Sequence, residues 1–300
     1  FMGTPQFSVQ TLEVLAKSKY KIECVYTQPP KKSSRGQKIK PSAVQMTAEK
    51  FRLNVRTPDN LYNEAEYKYL KSVDAYLIVV VAYGKIIPKS FLNLSKKGFI
   101  NIHASLLPKW RGAAPIQRSI INQDYESGIS IMKINEKLDA GPFMKQIKVK
   151  IDNQTTSKSL SDKLSKLGAE NIIETINLIE QNKANFLEQN HVKATYAKKI
   201  KKEEAKINWT QKAKMIISKI NGLNPSPGAW FKFESSRYKV WKAEVHESTG
   251  EPGQIIDEKL IIACQDKSIK ILEIQKEGKK KLLVKDFLSG KKIIKGTIIQ

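Results

Sequence analysis

The sequence predicts an α/β fold, a doubly wound, mostly parallel sheet flanked by helices, with a smaller all-β domain after it. Three features carry this reading. From Phe1 to Ala82, short apolar runs alternate with amphipathic segments of helical spacing, the pattern of strand–helix–strand units. The run Tyr76-Leu77-Ile78-Val79-Val80-Val81 is apolar on both of its faces, as a central strand covered by helices on both sides must be. After Ala229 the pattern changes to short strands at close spacing with turn residues between them, which suggests a small sandwich or barrel.

The chain opens at Phe1-Met2 inside a first strand and without an initiator Met, so a few preceding residues are expected. Gly3-Thr4-Pro5 makes a sharp turn, and Ser8 is placed to cap a helix carrying Val9, Leu12, Val14 and Leu15. Strand, glycine turn and helix begin many nucleotide folds, but G-x-G-x-x-G is absent, which argues against a dinucleotide. Ile22 to Thr27 reads as the second strand. The next segment, Gln28 to Pro41, carries Lys31, Lys32, Arg35, Lys38 and Lys40 among Pro, Gly and Ser. It is too polar and too broken to pack and is expected to be a mobile surface loop. It is either a solvated connection or, the favoured reading, a group of cations beside a strand end that suits a phosphate backbone.

A helix from Ser42 to Phe51, a short strand at Val55, a helix from Glu64 to Lys71 and a strand from Ala75 to Ala82 continue the alternation. Phe99 to His103 reads as a buried strand. Further strands are expected at Gly128 to Met132 and Gln146 to Ile151, antiparallel across the loop Leu138-Asp139-Ala140-Gly141. Thr156 begins a long helix with Leu160, Leu164, Leu167, Ile172, Ile173, Ile176 and Ile179 on its core face. The pattern dissolves between Asn182 and Glu204, which places the first domain at residues 1–182, a linker at 183–204 and the second domain at 205–300. His191 lies in this polar stretch with no nameable partner. A helix from Thr210 to Ile220 precedes strands at Ala229 to Phe233, Tyr238 to Ala243, Gln254 to Ile256, Leu260 to Ala263 and Ile269 to Leu272. Lysines interleave with aromatics on the Trp230 and Trp241 strands, a surface suited to RNA phosphates and stacked bases, although about half of those aromatics are needed for a core. The lysines at 279–281 and 291–292 are an electrostatic contact or a solvated end.

Three hundred residues can bury two cores. The formal charge of +24, from 53 Lys and Arg against 29 Asp and Glu, points to a polyanion, nucleic acid first and an anionic membrane surface second. Indiscriminate lysine enrichment of the surface explains the same excess equally well. Cys24 and Cys264 are far apart, without metal-ligand spacing, and are expected to be reduced thiols. No apolar run approaches the about 20 residues of a membrane span, and the opening lacks the pattern of a signal peptide. A soluble, cytoplasmic protein is expected.

The candidate chemistry lies between Gly98 and Phe143. Alternation along a strand turns Asn101 and His103 to the same side, and Pro108 and Gly112 end regular structure in a loop at the strand's carboxyl end, where ligands of open α/β sheets bind. An amide and an imidazole side by side can stabilise an oxyanion and move a proton, and Asp139 offers a carboxylate. Taken alone, Asn-x-His is a weak signal, because a lone histidine near a strand is more often a hydrogen-bonded core residue than a catalyst. The longer run Asn-Ile-His-Ala-Ser-Leu-Leu-Pro-x-x-Arg-Gly, followed by Leu-Asp-Ala-Gly, resembles the signature of the 10-formyltetrahydrofolate-dependent formyltransferases. Within that family, the run from Trp110 to Arg118 resembles the members that formylate methionyl-tRNA.

The resemblance implies a Rossmann-like first domain and an OB-like barrel after it. It also implies formyl transfer from 10-formyltetrahydrofolate to the α-amino group of initiator methionyl-tRNA, by a monomer that needs no metal. Asn101 would donate to the oxyanion, and His103, held by Asp139, would handle the proton. Folate would be met by Val80, Val81, Tyr83 and Gly84 and by backbone groups of Ser105, Leu106, Leu107 and Pro108, with Tyr83 alternatively only a packing aromatic. The loop with Lys31, Lys32, Arg35, Lys38 and Lys40 would contact tRNA, and Thr195-Tyr196-Ala197 would lie in a linker facing it. Asn224 to Trp230 resembles a turn of the family.

Overall fold

The computed structural model describes residues 1–33, 38–291 and 293–299. Arg35 lies outside the described residues, as do the side chains of Lys32 and Lys38. The chain separates into two compact units, one made of Phe1–Pro115, Ser127–Val149 and Ser161–Ala197, the other of Ile116–Glu126, Lys150–Leu160 and Lys198–Gln300.

The elements follow in the order β1 (Met2–Gly3), α1 (Val9–Ala16), β2 (Val25–Tyr26), β3 (Lys31–Ser33), β4 (Lys38–Lys40), α2 (Ala43–Lys50), β5 (Val55–Arg56), α3 (Glu64–Val73), β6 (Ile78–Val81), β7 (Phe99–His103), β8 (Arg111–Gly112), α4 (Pro115–Ile121), β9 (Glu126–Lys133), β10 (Phe143–Lys150), α5 (Ser157–Glu180) and β11 (Tyr196–Ala197). The main sheet has seven strands in the order β10-β9-β7-β6-β1-β2-β5. Its pairs from β5 to β7 are parallel, and β9 joins β7 antiparallel. The mostly parallel, doubly wound sheet is therefore as expected, and the fully buried β6 is its centre.

Local signals account for these helices. Ser42 Oγ accepts from Gln45 N at 2.9 Å at the start of α2, and Asn63 Oδ1 accepts from Glu66 N at 2.7 Å at the start of α3, each satisfying a first-turn donor. In α5, Leu160, Leu164, Ile172, Ile176 and Ile179 are buried, as the helical spacing predicted. A Cβ at Gly168 would stand 2.9 Å from Ile102 Cγ2, so the missing side chain is what lets α5 approach β7 this closely.

Three expectations are corrected. Ser8 does not cap α1 through its side chain; its hydroxyl donates instead to the Val81 carbonyl at 2.5 Å and ties the α1 entrance to the exit of β6. The basic segment after Gln28 is not simply loop: β3 and β4 pair antiparallel, Lys31 opposite Lys40, so its backbone groups satisfy one another without a core beneath them. Residues 183–197 belong to the first unit, where Leu187 exchanges hydrogen bonds with Phe143 at 2.9 and 3.0 Å and β11 runs parallel to β8. Their partners lie far off in sequence, Phe143 for Leu187 and Arg111 for Tyr196, and a local pattern cannot display them.

The second unit contains α6 (Ala213–Gly222), β12 (Trp230–Phe233), β13 (Ser236–His246), β14 (Ile255–Asp257), β15 (Ile261–Ala263), β16 (Ser268–Lys276), β17 (Leu282–Leu283) and α7 (Val284–Ser289). Its six strands form one antiparallel sheet, β12-β13-β16-β15-β14 with β17 on β16, in half-barrel form. The register shifts between Val240 and Ala243, a bulge that bends β13. Trp209, Phe231, Tyr238 and Phe287 enter the core, with the Phe231 and Tyr238 rings stacked at 5.6 Å. Trp230 and Trp241 stay half-buried under cations, Arg237 at 4.1 Å from the first ring and Lys239 at 5.5 Å from the second. Lysines flanking β17 and α7 hid those elements from the sequence reading, although Val284 and Phe287 are buried.

Candidate active site

Chain order runs outward from β1 in both directions, to β2 and β5 on one side and to β6 and β7 on the other. The carboxyl ends of β1 and β6 are therefore a topological switch point, where the connections diverge and leave a crevice. Hydroxyls brace it: Thr4 Oγ1 donates to the Tyr83 carbonyl at 2.7 Å, beside the Ser8 bond to Val81. Val80 and Val81 are buried in β6, and Gly84 leaves it at φ +76°. The Tyr83 ring is buried among Met2, Tyr26, Leu61 and Phe91, and burial pushes its phenol up to about 12. Of this stretch, the Tyr83 side chain is a core group, and its carbonyl also accepts from Gln28 Nε2 at 3.0 Å.

Asn101 and His103 share one face of β7, as alternation required. Asn101 is half-buried and makes no side-chain hydrogen bond among the described residues, so its amide remains available to a ligand. His103 is 6% exposed. Its Nε2 lies 3.0 Å from the Trp110 carbonyl, and because a carbonyl only accepts, that bond requires the proton on Nε2. Nδ1 faces Asp139 Oδ2 at 3.8 Å, and the same oxygen accepts from Gly112 N at 2.8 Å. Gly112 stands at φ +115°, a conformation that favours glycine, and β8 brings it to this place. The structure thus brings the imidazole of His103 to the carboxylate of Asp139, 36 residues on in sequence, with Asn101 on the same strand as His103.

The loop from Ser105 to Pro108 is held from behind by β9 and β10. Ser130 Oγ donates to the Ser105 carbonyl at 2.7 Å and accepts from Leu107 N at 3.0 Å and Gln146 Nε2 at 2.9 Å. Gln146 also donates to the Leu107 carbonyl at 2.8 Å. These internal partners leave the Leu106 N–H as a free donor of the loop among the described residues. Sequence reasoning missed Ser130 and Gln146. Both lie on strands it had found, facing the loop, but their role depends on register.

Lys31 and Lys40 are exposed and opposite one another on the β3–β4 hairpin, which leaves the same sheet edge because β2, β1, β6 and β7 are parallel. Lys31 donates to Gln28 Oε1, and Gln28 in turn holds Tyr83 and Gly84, so the hairpin root is tied to the exit of β6. His191, without a partner by sequence, accepts on Nδ1 from Arg111 Nη2 at 2.8 Å. Among the described residues no three His, Cys, Asp or Glu gather to hold a metal, and no helix is long and apolar enough to cross a membrane.

An amide donor, an imidazole and an oriented carboxylate at a strand end can stabilise a developing oxyanion and relay a proton, the requirements of acyl or formyl transfer to an amine. Residues 1–176 match the family model for formyl transferase, and residues 199–292 match that for the formyl transferase C-terminal domain. A methionyl-tRNA formyltransferase of Pelagibacter ubique (strain HTCC1062) is 55% identical over 301 residues, covering 100% of this chain and 97% of its own. A methionyl-tRNA formyltransferase of Mesorhizobium japonicum is 41% identical over 307 residues, covering 99% of this chain and 97% of its own. Among solved structures, the N-formyltransferase from Helicobacter canadensis, in complex with folinic acid and dTDP-3-aminofucose, superposes with a TM-score of 0.67 at 20% identity, covering 92% of this chain and 97% of that one. That likeness is one of fold, whereas the two sequence relationships go further: the chain belongs to the formyl transferase family, in the branch whose members carry the name methionyl-tRNA formyltransferase.

Proposed function

We propose that the protein transfers the formyl group of 10-formyltetrahydrofolate to the α-amino group of initiator methionyl-tRNA, acting as a cytoplasmic monomer. The observation that carries the reading is the approach of His103 Nδ1 to Asp139 Oδ2, at 3.8 Å, beside the β7 strand that also carries Asn101. Full-length likeness to relatives named for this reaction supports the substrate. Residues 80–84 and 105–108 follow the neighbouring parallel strands β6 and β7 at the same edge of the sheet, a place suited to a flat heterocycle, where Leu106 offers an apolar side chain and a free N–H among the described residues. In this reading the folate supplies the formyl group, and Val80, Val81, Tyr83 and Gly84 meet it through backbone atoms.

The amine nitrogen attacks the formyl carbon, the bond from that carbon to N10 breaks, and the amine's proton goes to N10. The amine needs little help, because α-amino groups have pKa of about 7.7 to 8.0 and esterification of the carboxyl lowers it further. Asn101 donates its amide N–H to the formyl oxygen as negative charge develops there. His103 carries the proton between the two nitrogens, and Asp139, oriented by Gly112 N, faces the ring nitrogen that becomes charged. Lys31 and Lys40, together with Lys32, Arg35 and Lys38 of the same segment, contact tRNA phosphates, and the half-barrel with Arg237 and Lys239 over its tryptophans adds a second basic aromatic surface.

The test mixes the protein with 10-formyltetrahydrofolate and either initiator or elongator methionyl-tRNA, and measures formylmethionine. Formylation of the initiator substrate is expected. Formylation of an amino sugar with none of methionyl-tRNA would refute the proposal.

A further inference from the structure

Behind Asp139 stands a buried polar pair that the reaction itself does not use. Arg111 and Gln189 are each 4% exposed. Gln189 Oε1 accepts from Arg111 Nε at 3.1 Å and from Nη2 at 2.7 Å, while its Nε2 donates to the carbonyl of Asp139 at 2.8 Å and to that of Gly141 at 2.7 Å. The amide cannot be turned around: a guanidinium only donates and a carbonyl only accepts, so the oxygen must face Arg111 and the nitrogen the two carbonyls. Arg111 is itself held, its backbone N–H by the Thr195 carbonyl at 2.8 Å and its Nη2 by His191 Nδ1 at 2.8 Å.

Asp139 needs such support. Its φ of +46° lies in the left-handed region, which a residue with a Cβ enters only against steric crowding of its own backbone. Gln189 bonds the carbonyl of this same residue, and Gly112, the chain neighbour of Arg111, bonds its carboxylate. One short segment therefore grips Asp139 at both ends, the carboxylate directly and the backbone through Gln189.

We infer that Arg111 and Gln189 are positioning residues for formyl transfer, clamping the backbone of Asp139 so that Oδ2 faces His103. Neither touches the reacting atoms. The planar, two-pronged guanidinium fixes both the place and the orientation of the Gln189 amide, which a lysine could not do. The inference rests on the reading of Asn101, His103 and Asp139 as the catalytic group.

The test is a cycle of Gln189→Glu, Asp139→Asn and the double variant, assayed for formylation of methionyl-tRNA at saturating folate. Glu at 189 still accepts from Arg111 but cannot donate to the two carbonyls. Gln189→Glu is expected to lower kcat by about 10 to 100-fold, the scale of a displacement on the order of 1 Å in a catalytic constellation, with KM for both substrates within about twofold. In the Asp139→Asn background the same substitution is expected to change kcat by less than about twofold, because the group it positions is already disabled. Arg111→Lys supplies the same comparison if Gln189→Glu fails to fold. With Asp139→Asn impaired, wild-type kcat in the single variants, or losses that multiply in the double ones, would overturn the inference and leave the catalytic reading intact. Wild-type turnover by Asp139→Asn would overturn that reading, and the inference with it.

Discussion

Replacing Ser130 by Ala removes one oxygen that organises the whole loop proposed to meet folate. In the native protein this fully buried hydroxyl donates to the Ser105 carbonyl at 2.7 Å and accepts from Leu107 N at 3.0 Å and Gln146 Nε2 at 2.9 Å. Three bonds are lost, but their costs differ. Gln146 keeps its bond to the Leu107 carbonyl at 2.8 Å and is not orphaned. The Leu107 N–H loses its partner in a buried place, as does the Ser105 carbonyl, and each stranded buried group costs about 1–3 kcal/mol. A loss of roughly 2–6 kcal/mol follows for the two groups together, which in a chain of this size lowers Tm by roughly 3–10 °C. Denaturant unfolding of Ser130→Ala beside the wild type measures it, and steady-state formylation should record a raised KM for folate with a smaller change in kcat. A stability loss below about 0.5 kcal/mol together with an unchanged folate KM would refute the reasoning, since it would mean that the loop holds its shape without this hydroxyl.

His103→Ala is expected to lower kcat by about 10² or more while tRNA binding persists, as for removal of a general acid and base; filter binding and single-turnover formylation check the two halves. Burial alone would raise the Glu66 carboxyl, but Arg56, bonded to it through Nη2 at 2.6 Å and Nε at 3.0 Å, outweighs that and holds it below the ordinary value. A depressed carboxyl contributes stability that is present above its unfolded pKa and lost as pH falls through the folded one. Wild-type Tm should accordingly fall more steeply than that of Glu66→Gln as pH drops from about 5 to about 3, and parallel curves would contradict this. Exchanging Lys31 and Lys40 for Ala should flatten the salt dependence of tRNA binding, each lost phosphate contact removing about 0.7–0.9 of slope, as titrations at several salt concentrations would record.

Much of the fold could be read locally because its signals are local. The all-apolar β6, the five-residue β7 and the periodic leucines and isoleucines of α5 depend only on which side chains must leave water. Period-two alternation was enough to set Asn101 and His103 on one face, and the loop after them announced itself through Pro108 and Gly112. Composition also told of a basic protein, yet not of the β3–β4 hairpin, whose strands are stabilised by each other's backbone and not by any apolar pattern.

Tertiary structure alone decided what stands around the carboxylate. No periodicity marks Gln189 or His191, which lie in a stretch that reads as polar linker, and nothing near them in sequence explains why a glutamine there is 4% exposed. They become intelligible only when β11 pairs with β8 and carries the segment across to Arg111, 78 residues away from Gln189. Hydrophobic burial is a property of single residues and their near neighbours, so a sequence displays it; satisfaction of a buried polar group is a property of pairs, and the partner of Asp139's carbonyl exists only once the chain has folded back upon itself.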